Sequence, residues 1–245
     1  MHTDNSIERF GGFPSHFASI IVGLVSTAVF RLLNLTRVYG RKNIPRQKHG
    51  VLLVANHQTM VDSFFICSVG YFPEVIIYPS QLPVNFAAEE NYFRHWYLRV
   101  LMWLLRTVPV KGRKDTSILR KYQEYLKQYN ALVFYQGTRS HDLSLVKSGP
   151  AWTIAHSEEP LVVIPVFIDG VDKIFGGPKT HGFWHRWRLK SIMRRMVIAF
   201  GERLDFSDLN VIQDSREKIA AINARIIAAM HTLEEQYALK PTPAT

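Results

Sequence analysis

Asn56-His57-Gln58-Thr59-Met60-Val61-Asp62 is the stretch of this 245-residue chain in which residue type and spacing together suit proton transfer. Histidine is the side chain that titrates nearest neutral pH. A carboxylate bonded to one ring nitrogen fixes the tautomer and leaves the other nitrogen as a base. On a regular helix, residues five apart are displaced by about 140° and do not face each other. The spacing therefore places His57 ahead of a helix, with Asp62 in its first turns and able to reach back. The same residues would equally suit an ordinary capped helix start with a structural histidine. The preceding run, Val51-Leu-Leu-Val-Ala55, reads as a buried strand, and open α/β sheets carry their sites at the C-terminal ends of such strands.

A second polar cluster also follows a strand-like run: Val133-Phe134-Tyr135-Gln136-Gly137-Thr138-Arg139-Ser140. Gly137 permits close backbone approach, Thr138 and Ser140 supply hydroxyls, and Arg139 offers a planar fork suited to a phosphate. A third piece, Val108-Pro109-Val110-Lys111-Gly112-Arg113, sets two cations beside a glycine. Each basic turn taken singly is equally consistent with a solvated loop.

The elements that must position these clusters alternate in type from Gly50 onward. Short apolar runs at Val51–Ala55, Glu74–Tyr78, Ala131–Tyr135, Leu161–Ile168 and Met196–Phe200 predict strands. Between them, Ser117–Tyr129 places Ile118, Tyr122, Tyr125, Leu126 and Tyr129 on one helical stripe, where the tyrosines serve packing. Asp214-Ser215 caps a final helix with Ile219, Ile222, Ile226, Met230 and Leu233 at spacings of three and four. This is an α/β pattern: a single domain with a central mixed sheet flanked by helices.

Ahead of it, Phe10 to Phe30 contains no Asp, Glu, Lys or Arg, although Ser15, His16, Ser19, Gly23, Ser26 and Thr27 interrupt its apolar residues. A membrane-associating helical segment lying in the interface is the favoured reading, beside a true span or a buried helix. Arg31, Arg37, Arg41, Lys42, Arg46 and Lys48 follow, which points its C-terminal side toward the cytoplasm. The formal charge of +10 favours polyanionic partners, which could be a membrane leaflet, nucleic acid or acidic substrates. The single Cys67 excludes an intrachain disulfide framework and reads as a small buried hydrophobe.

Taken in order, these pieces resemble the lysophosphatidate acyltransferase family, whose members carry an H-x4-D motif. Tyr39 to Pro45 looks like the family's entry segment, Asn56 to Asp62 like its N-H-x-[ST]-x-x-D block, and Val110 to Arg113 like its second block. Phe134 to Ser140 is similar to F-P-E-G-T-R-S, and Val163-Ile164-Pro165-Val166 to the fourth block. The resemblance implies direct transfer of an acyl group from acyl-CoA or acyl carrier protein to a lysolipid hydroxyl. In that reading His57 is the general base, Asp62 its support, and Lys111, Arg113, Gln136, Gly137, Thr138 and Arg139 hold the acceptor. Two positions depart from the pattern, with Tyr135 in place of Pro and Gln136 in place of Glu. Gln136 keeps the size of Glu but carries no charge. The expected acceptor is therefore lysophosphatidate or another lysolipid such as a lyso-aminolipid, and a non-catalytic lipid-binding relative is the alternative.

No G-x-S-x-G elbow, H-E-x-x-H, Walker A or G-x-G-x-x-G occurs, so neither an acyl-serine nor a nucleotide cofactor is called for. His181 and His185 stand four apart without a third ligand candidate nearby, so no metal is expected. Between Lys173 and Arg195 there are seven Lys or Arg, no acid, and Phe175, Phe183, Trp184 and Trp187. Tryptophan interleaved with cations suits a membrane interface, and beside lipid-handling motifs it makes membrane lipids, not nucleic acid, the expected partner. The organisation expected is a membrane-associating segment over 1–37, an acyltransferase domain over 38–239 and a disordered tail over 240–245, at the cytoplasmic face of a membrane.

Overall fold

The computed structural model describes residues 12–93, 95–110 and 117–239. Leu35–Tyr39 (β1), Val51–Ala55 (β2), Val84–Ala88 (β3), Thr107–Val110 (β4), Ala131–Phe134 (β5), Val162–Asp169 (β6) and Arg195–Phe200 (β7) form one seven-stranded sheet in the order β1-β7-β6-β2-β5-β3-β4. Every neighbouring pair is parallel except β6 and β7. The helices are α1 (Phe13–Thr27, continued by a π-helical turn over Ala28–Leu32), α2 (Asp62–Tyr71), α3 (Glu89–Tyr92), α4 (Trp96–Leu104), α5 (Ser117–Leu126), α6 (Ser148–Ala155), α7 (Phe183–Trp187) and α8 (Ser215–Tyr237).

The central strand β2 is buried along its whole length between β5 and β6. Its side chains alternate between two apolar layers, as the period of a strand demands. Leu52 and Val54 join Ile222, Ile226 and Met230 of α8, whereas Val51, Leu53 and Ala55 join Phe65, Ile66 and Val69 of α2. Burying each such Ile or Leu contributes about 1.5–3 kcal/mol, which fixes α2 and α8 on opposite faces. The expected cap on α8 is present, with Asp214 Oδ1 accepting the Glu217 N–H at 2.8 Å.

Glu74–Tyr78 is not a strand. Glu74–Ile76 forms a 3₁₀ turn, and the N–H groups of Ile76, Ile77 and Tyr78 bond back to Pro73 and Glu74 carbonyls. Pro73 and Pro79 bracket the segment, so Val75 packs inward while Ile76, Ile77 and Tyr78 face outward, and none joins a ladder. The strand in that part of the sheet is β3, whose Val-Asn-Phe-Ala-Ala composition hides it. β4 is equally inconspicuous and accommodates Pro109 because it is the sheet's edge. The expected boundary at residue 38 falls inside β1, which pairs with β7 from Leu35 onward.

Gly40, just after β1, has φ of +63°, and a Cβ there would lie 1.9 Å from the Phe200 carbonyl oxygen. Gly40→Ala is therefore expected to cost more than the roughly 1–2 kcal/mol of the left-handed conformation alone. A lowered urea midpoint checks this, and an unchanged midpoint would show that the β1–β7 edge absorbs the substitution.

Candidate active site

β2 ends at Ala55, and the Asn56 side chain extends its pairing with β6. Asn56 Nδ2 donates to Ile168 O at 2.9 Å, and Ile168 N–H donates to Asn56 Oδ1 at 2.8 Å. That clasp lets the chain turn out of the sheet at His57. Asp62 is the first residue of α2, fully buried, and its carboxylate gathers four donors. Oδ2 accepts from the backbone N–H of Gln58 (2.6 Å), the backbone N–H of Thr59 (2.8 Å) and His57 Nδ1 (2.8 Å), while Oδ1 accepts from Thr59 Oγ1 at 2.5 Å. A carboxylate at a helix N-terminus is also favoured by the helix dipole. Arg31 and Arg41 serve the other end of α2, donating to the carbonyls of Val69, Gly70 and Phe72. These two members of the basic cluster after α1 are thus engaged in the fold.

Because Asp62 Oδ2 can only accept, Nδ1 of His57 carries the proton and Nε2 presents its lone pair. The ring lies against Phe134 at the end of β5, with centroids 4.0 Å apart and planes 16° from parallel. The His57 side chain keeps 20% of its surface open, so the imidazole is held on two sides and reachable on a third.

The turn after β5 is tied directly to His57. Ser140 N–H donates to His57 O at 2.8 Å, and the His57 N–H donates to Gln136 Oε1 at 2.6 Å. Gln136 is fully buried, and its Nε2 donates to the carbonyls of Ser140 (3.1 Å) and Asp142 (2.7 Å). The Gln136 amide, expected to contact the acceptor, is engaged in joining the two loops. Tyr135 is likewise internal, its hydroxyl donating to Leu143 O at 2.7 Å. Gly137 adopts φ of +63° at the corner of the turn, leaving Gly137 and Thr138 exposed. Arg139 is half-buried and donates to Gly177 O at 3.3 Å. Burial first, and then the charge of Arg186, pull its guanidinium below the ordinary arginine range, while Tyr92 and Asp62 act the other way. Lys111 and Arg113 lie outside the described residues.

Two neighbours were not legible in the sequence. Tyr92 of α3 feels the charges of Asp62, Arg139 and Arg186, and burial raises its phenol well above the usual value. Trp187, expected at a membrane interface, instead packs inward against Phe64 (centroids 5.9 Å apart) and Tyr92 (6.2 Å). The side chain of Trp184 lies outside the described residues. Neither Tyr92 nor Arg186 belongs to a recognisable block, so only the folding of α3 and α7 toward α2 could have found them.

A family model described as Acyltransferase matches residues 35–169. The chain is 26% identical over 211 residues to the chloroplastic 1-acyl-sn-glycerol-3-phosphate acyltransferase LPAT1 of Arabidopsis thaliana, covering 84% of this chain and 53% of that protein. It is 25% identical over 191 residues to the chloroplastic 1-acyl-sn-glycerol-3-phosphate acyltransferase BAT2 of Brassica napus, covering 76% of this chain and 50% of that one. The chain thus spans about half the length of the curated relatives it matches. Among solved structures, the 1-acyl-sn-glycerophosphate acyltransferase PlsC of Thermotoga maritima shares the fold, with a TM-score of 0.63 and 20% identity over 93% of this chain and 83% of that one. The family match covers more than half of the chain and takes in both strand-end turns with the His57–Asp62 pair: the protein belongs to the Acyltransferase family, and the lysophosphatidate acyltransferases are the members it resembles.

Proposed function

We propose that the chain transfers a fatty acyl group from acyl-CoA or acyl carrier protein to the free hydroxyl of a lysolipid, with 1-acylglycerol-3-phosphate as the leading acceptor and phosphatidate as the product. The observation that carries this reading is the Asp62-oriented His57, with Nε2 open beside the Arg139 turn. Nε2 takes the proton of the acceptor hydroxyl as its oxygen attacks the thioester carbonyl. The C–S bond then breaks, and the leaving thiolate takes the proton back from the imidazolium. The acceptor is taken from the relatives, which are 1-acyl-sn-glycerol-3-phosphate acyltransferases. With Gln136 turned to the backbone, nothing at that position argues for a different head group.

The N-terminal helix supports a membrane location through the direction of its faces. Ser15, Ser19, Gly23 and Ser26 of α1 are buried, and Phe13, Phe17, Ile21, Leu24 and Val25 are exposed. Ser15 Oγ donates to Leu104 O at 2.9 Å, and a Cβ on Gly23 would meet Phe72 Cδ2 at 2.8 Å. A helix with its small polar face packed inward and its large apolar face outward fits lipid, not water. Trp96, Tyr97, Val100 and Leu101 of α4, also exposed, extend that surface. Beneath α1 an apolar cleft lined by Val22, Phe64, Cys67, Leu82 and Leu105 would shelter an acyl chain.

Purified protein given labelled acyl-CoA or acyl carrier protein and a panel of lysolipids is expected to acylate lysophosphatidate fastest. Transfer to no lysolipid would defeat the reading. Replacing Phe17, Ile21 and Leu24 together with Ser is expected to move the protein from the membrane pellet to the supernatant without unfolding it, since all three side chains face outward. Unchanged pelleting would remove α1 as the membrane contact.

A further inference from the structure

Arg139 and Arg186 approach one glycine turn from two directions. Arg139 donates to Gly177 O at 3.3 Å, and Gly176 N–H donates to Arg186 O at 3.3 Å. The fit is close, because a Cβ on Gly176 would lie 2.7 Å from Arg186 Cα. Arg186 Nε is steadied by Thr180 O at 3.0 Å, and the next residue, Trp187, wedges α7 against Phe64 and Tyr92 over the start of α2. Both arginines are half-buried, and among the described residues neither forms an ion pair with a carboxylate. Two guanidinium groups that share no ion-paired carboxylate repel each other, which Tyr92 and Asp62 counter at Arg139, and a multiply charged anion placed between them reverses that cost. The lowering at Arg139, caused by burial first and then by the charge of Arg186, agrees with this proximity. Arg188 and Lys190 add two cations to an open hollow next to α7 that His181 and His185 also line.

We propose that Arg186 joins Arg139 as a second guanidinium on the phosphate of the acceptor, closing a two-arginine clamp beside His57. Arg139 stands next to Ser140, whose N–H is bonded to the His57 carbonyl at 2.8 Å, so an anion held by the clamp is registered to the base through the backbone. Arg186 lies beyond residues 35–169 that the family model matches, and no block of the sequence points to it. The assignment rests on the proposed acyl transfer for its acceptor but not for its chemistry, which is recognition of a phosphate monoester.

The test uses the full chain, Arg186→Ala and Arg186→Lys, with glycerol 3-phosphate as the binding probe in calorimetry and with acyl transfer measured separately. Loss of a bidentate charge-assisted contact is expected to weaken glycerol 3-phosphate binding roughly 10- to 100-fold in Arg186→Ala, with partial recovery in Arg186→Lys. The KM for lysophosphatidate should rise by a similar factor, with kcat and the KM for acyl-CoA nearly unchanged. Transfer to a monoacylglycerol, which has no phosphate, should be unaffected. Wild-type binding of glycerol 3-phosphate by Arg186→Ala would overturn the clamp, as would a wild type that does not bind the probe. A rise confined to the KM for acyl-CoA would assign Arg186 to the donor's phosphates and overturn it too. Arg186-dependent phosphate binding in a protein that acylates no lysolipid would uphold the clamp and defeat the proposed reaction alone.

Discussion

His57→Ala is expected to lower kcat for acyl transfer by about 10²–10⁴-fold while leaving acceptor binding in place. In the proposed mechanism the ring contributes Nε2 to the reaction; it rests its flat face on Phe134, and its removal leaves both backbone bonds of residue 57, to Gln136 and from Ser140, intact. The fold should therefore survive, and a thermal melt beside the kinetic measurement separates lost chemistry from lost structure. Asp62→Asn is expected to act in the same direction by a different route. An amide cannot accept from Nδ1, two backbone N–H groups and a hydroxyl as a carboxylate does, so the tautomer that frees Nε2 is no longer enforced. Wild-type turnover in a folded His57→Ala protein would remove general-base catalysis by this residue.

Gln136→Glu is expected to have the largest effect on stability, and to make that stability depend on pH. The amide suits its site because its partners are of opposite kinds: Oε1 accepts from the His57 N–H, whereas Nε2 donates to two carbonyls. A protonated Glu can reproduce part of this, but an ionised one sets a negative oxygen against the carbonyls of Ser140 and Asp142 in a fully buried place. Its folded pKa is consequently raised above the ordinary value of about 4.3. For a raised acid the folded state holds the proton longer than the unfolded one. Stability is therefore complete below about pH 4.3 and is lost as pH rises through the folded pKa, by roughly 3–5 kcal/mol for an uncompensated buried charge. Urea midpoints of the variant, compared with wild type at acidic and at mildly alkaline pH, should diverge as pH rises. Gln136→Leu, which loses the same bonds without gaining a charge, should be destabilised by a constant amount. Parallel pH profiles for Gln136→Glu and wild type would show that the two loops rearrange around the carboxylate.

Both predictions separate what short-range order states from what folding adds. Across Asn56 to Asp62 the spacing alone places His57 before a helix and the Asp62 carboxylate at its start, because residues five apart do not face one another on a regular helix. β2, β5, β6, β7 and α8 are legible for a related reason, since each is long and apolar enough for its period to dominate. The same rule misleads at Glu74–Tyr78, where an apolar run is bracketed by prolines and turns back on itself, and it passes over β3, whose Asn and alanines carry no strand signal.

What the sequence by itself determined, then, is the α/β class, the two strand-end turns and the His57–Asp62 pair, all local in the chain. The tertiary structure alone decided which way each ambiguous side chain faces. It bonded Gln136 to His57, 79 residues away, and it turned Trp187 from a surface to the flank of α2. It also directed the small residues of α1 inward and brought Arg186 to Arg139. Composition cannot reveal these orientations, because each is fixed by a partner far along the chain whose position depends on the order of strands in the sheet.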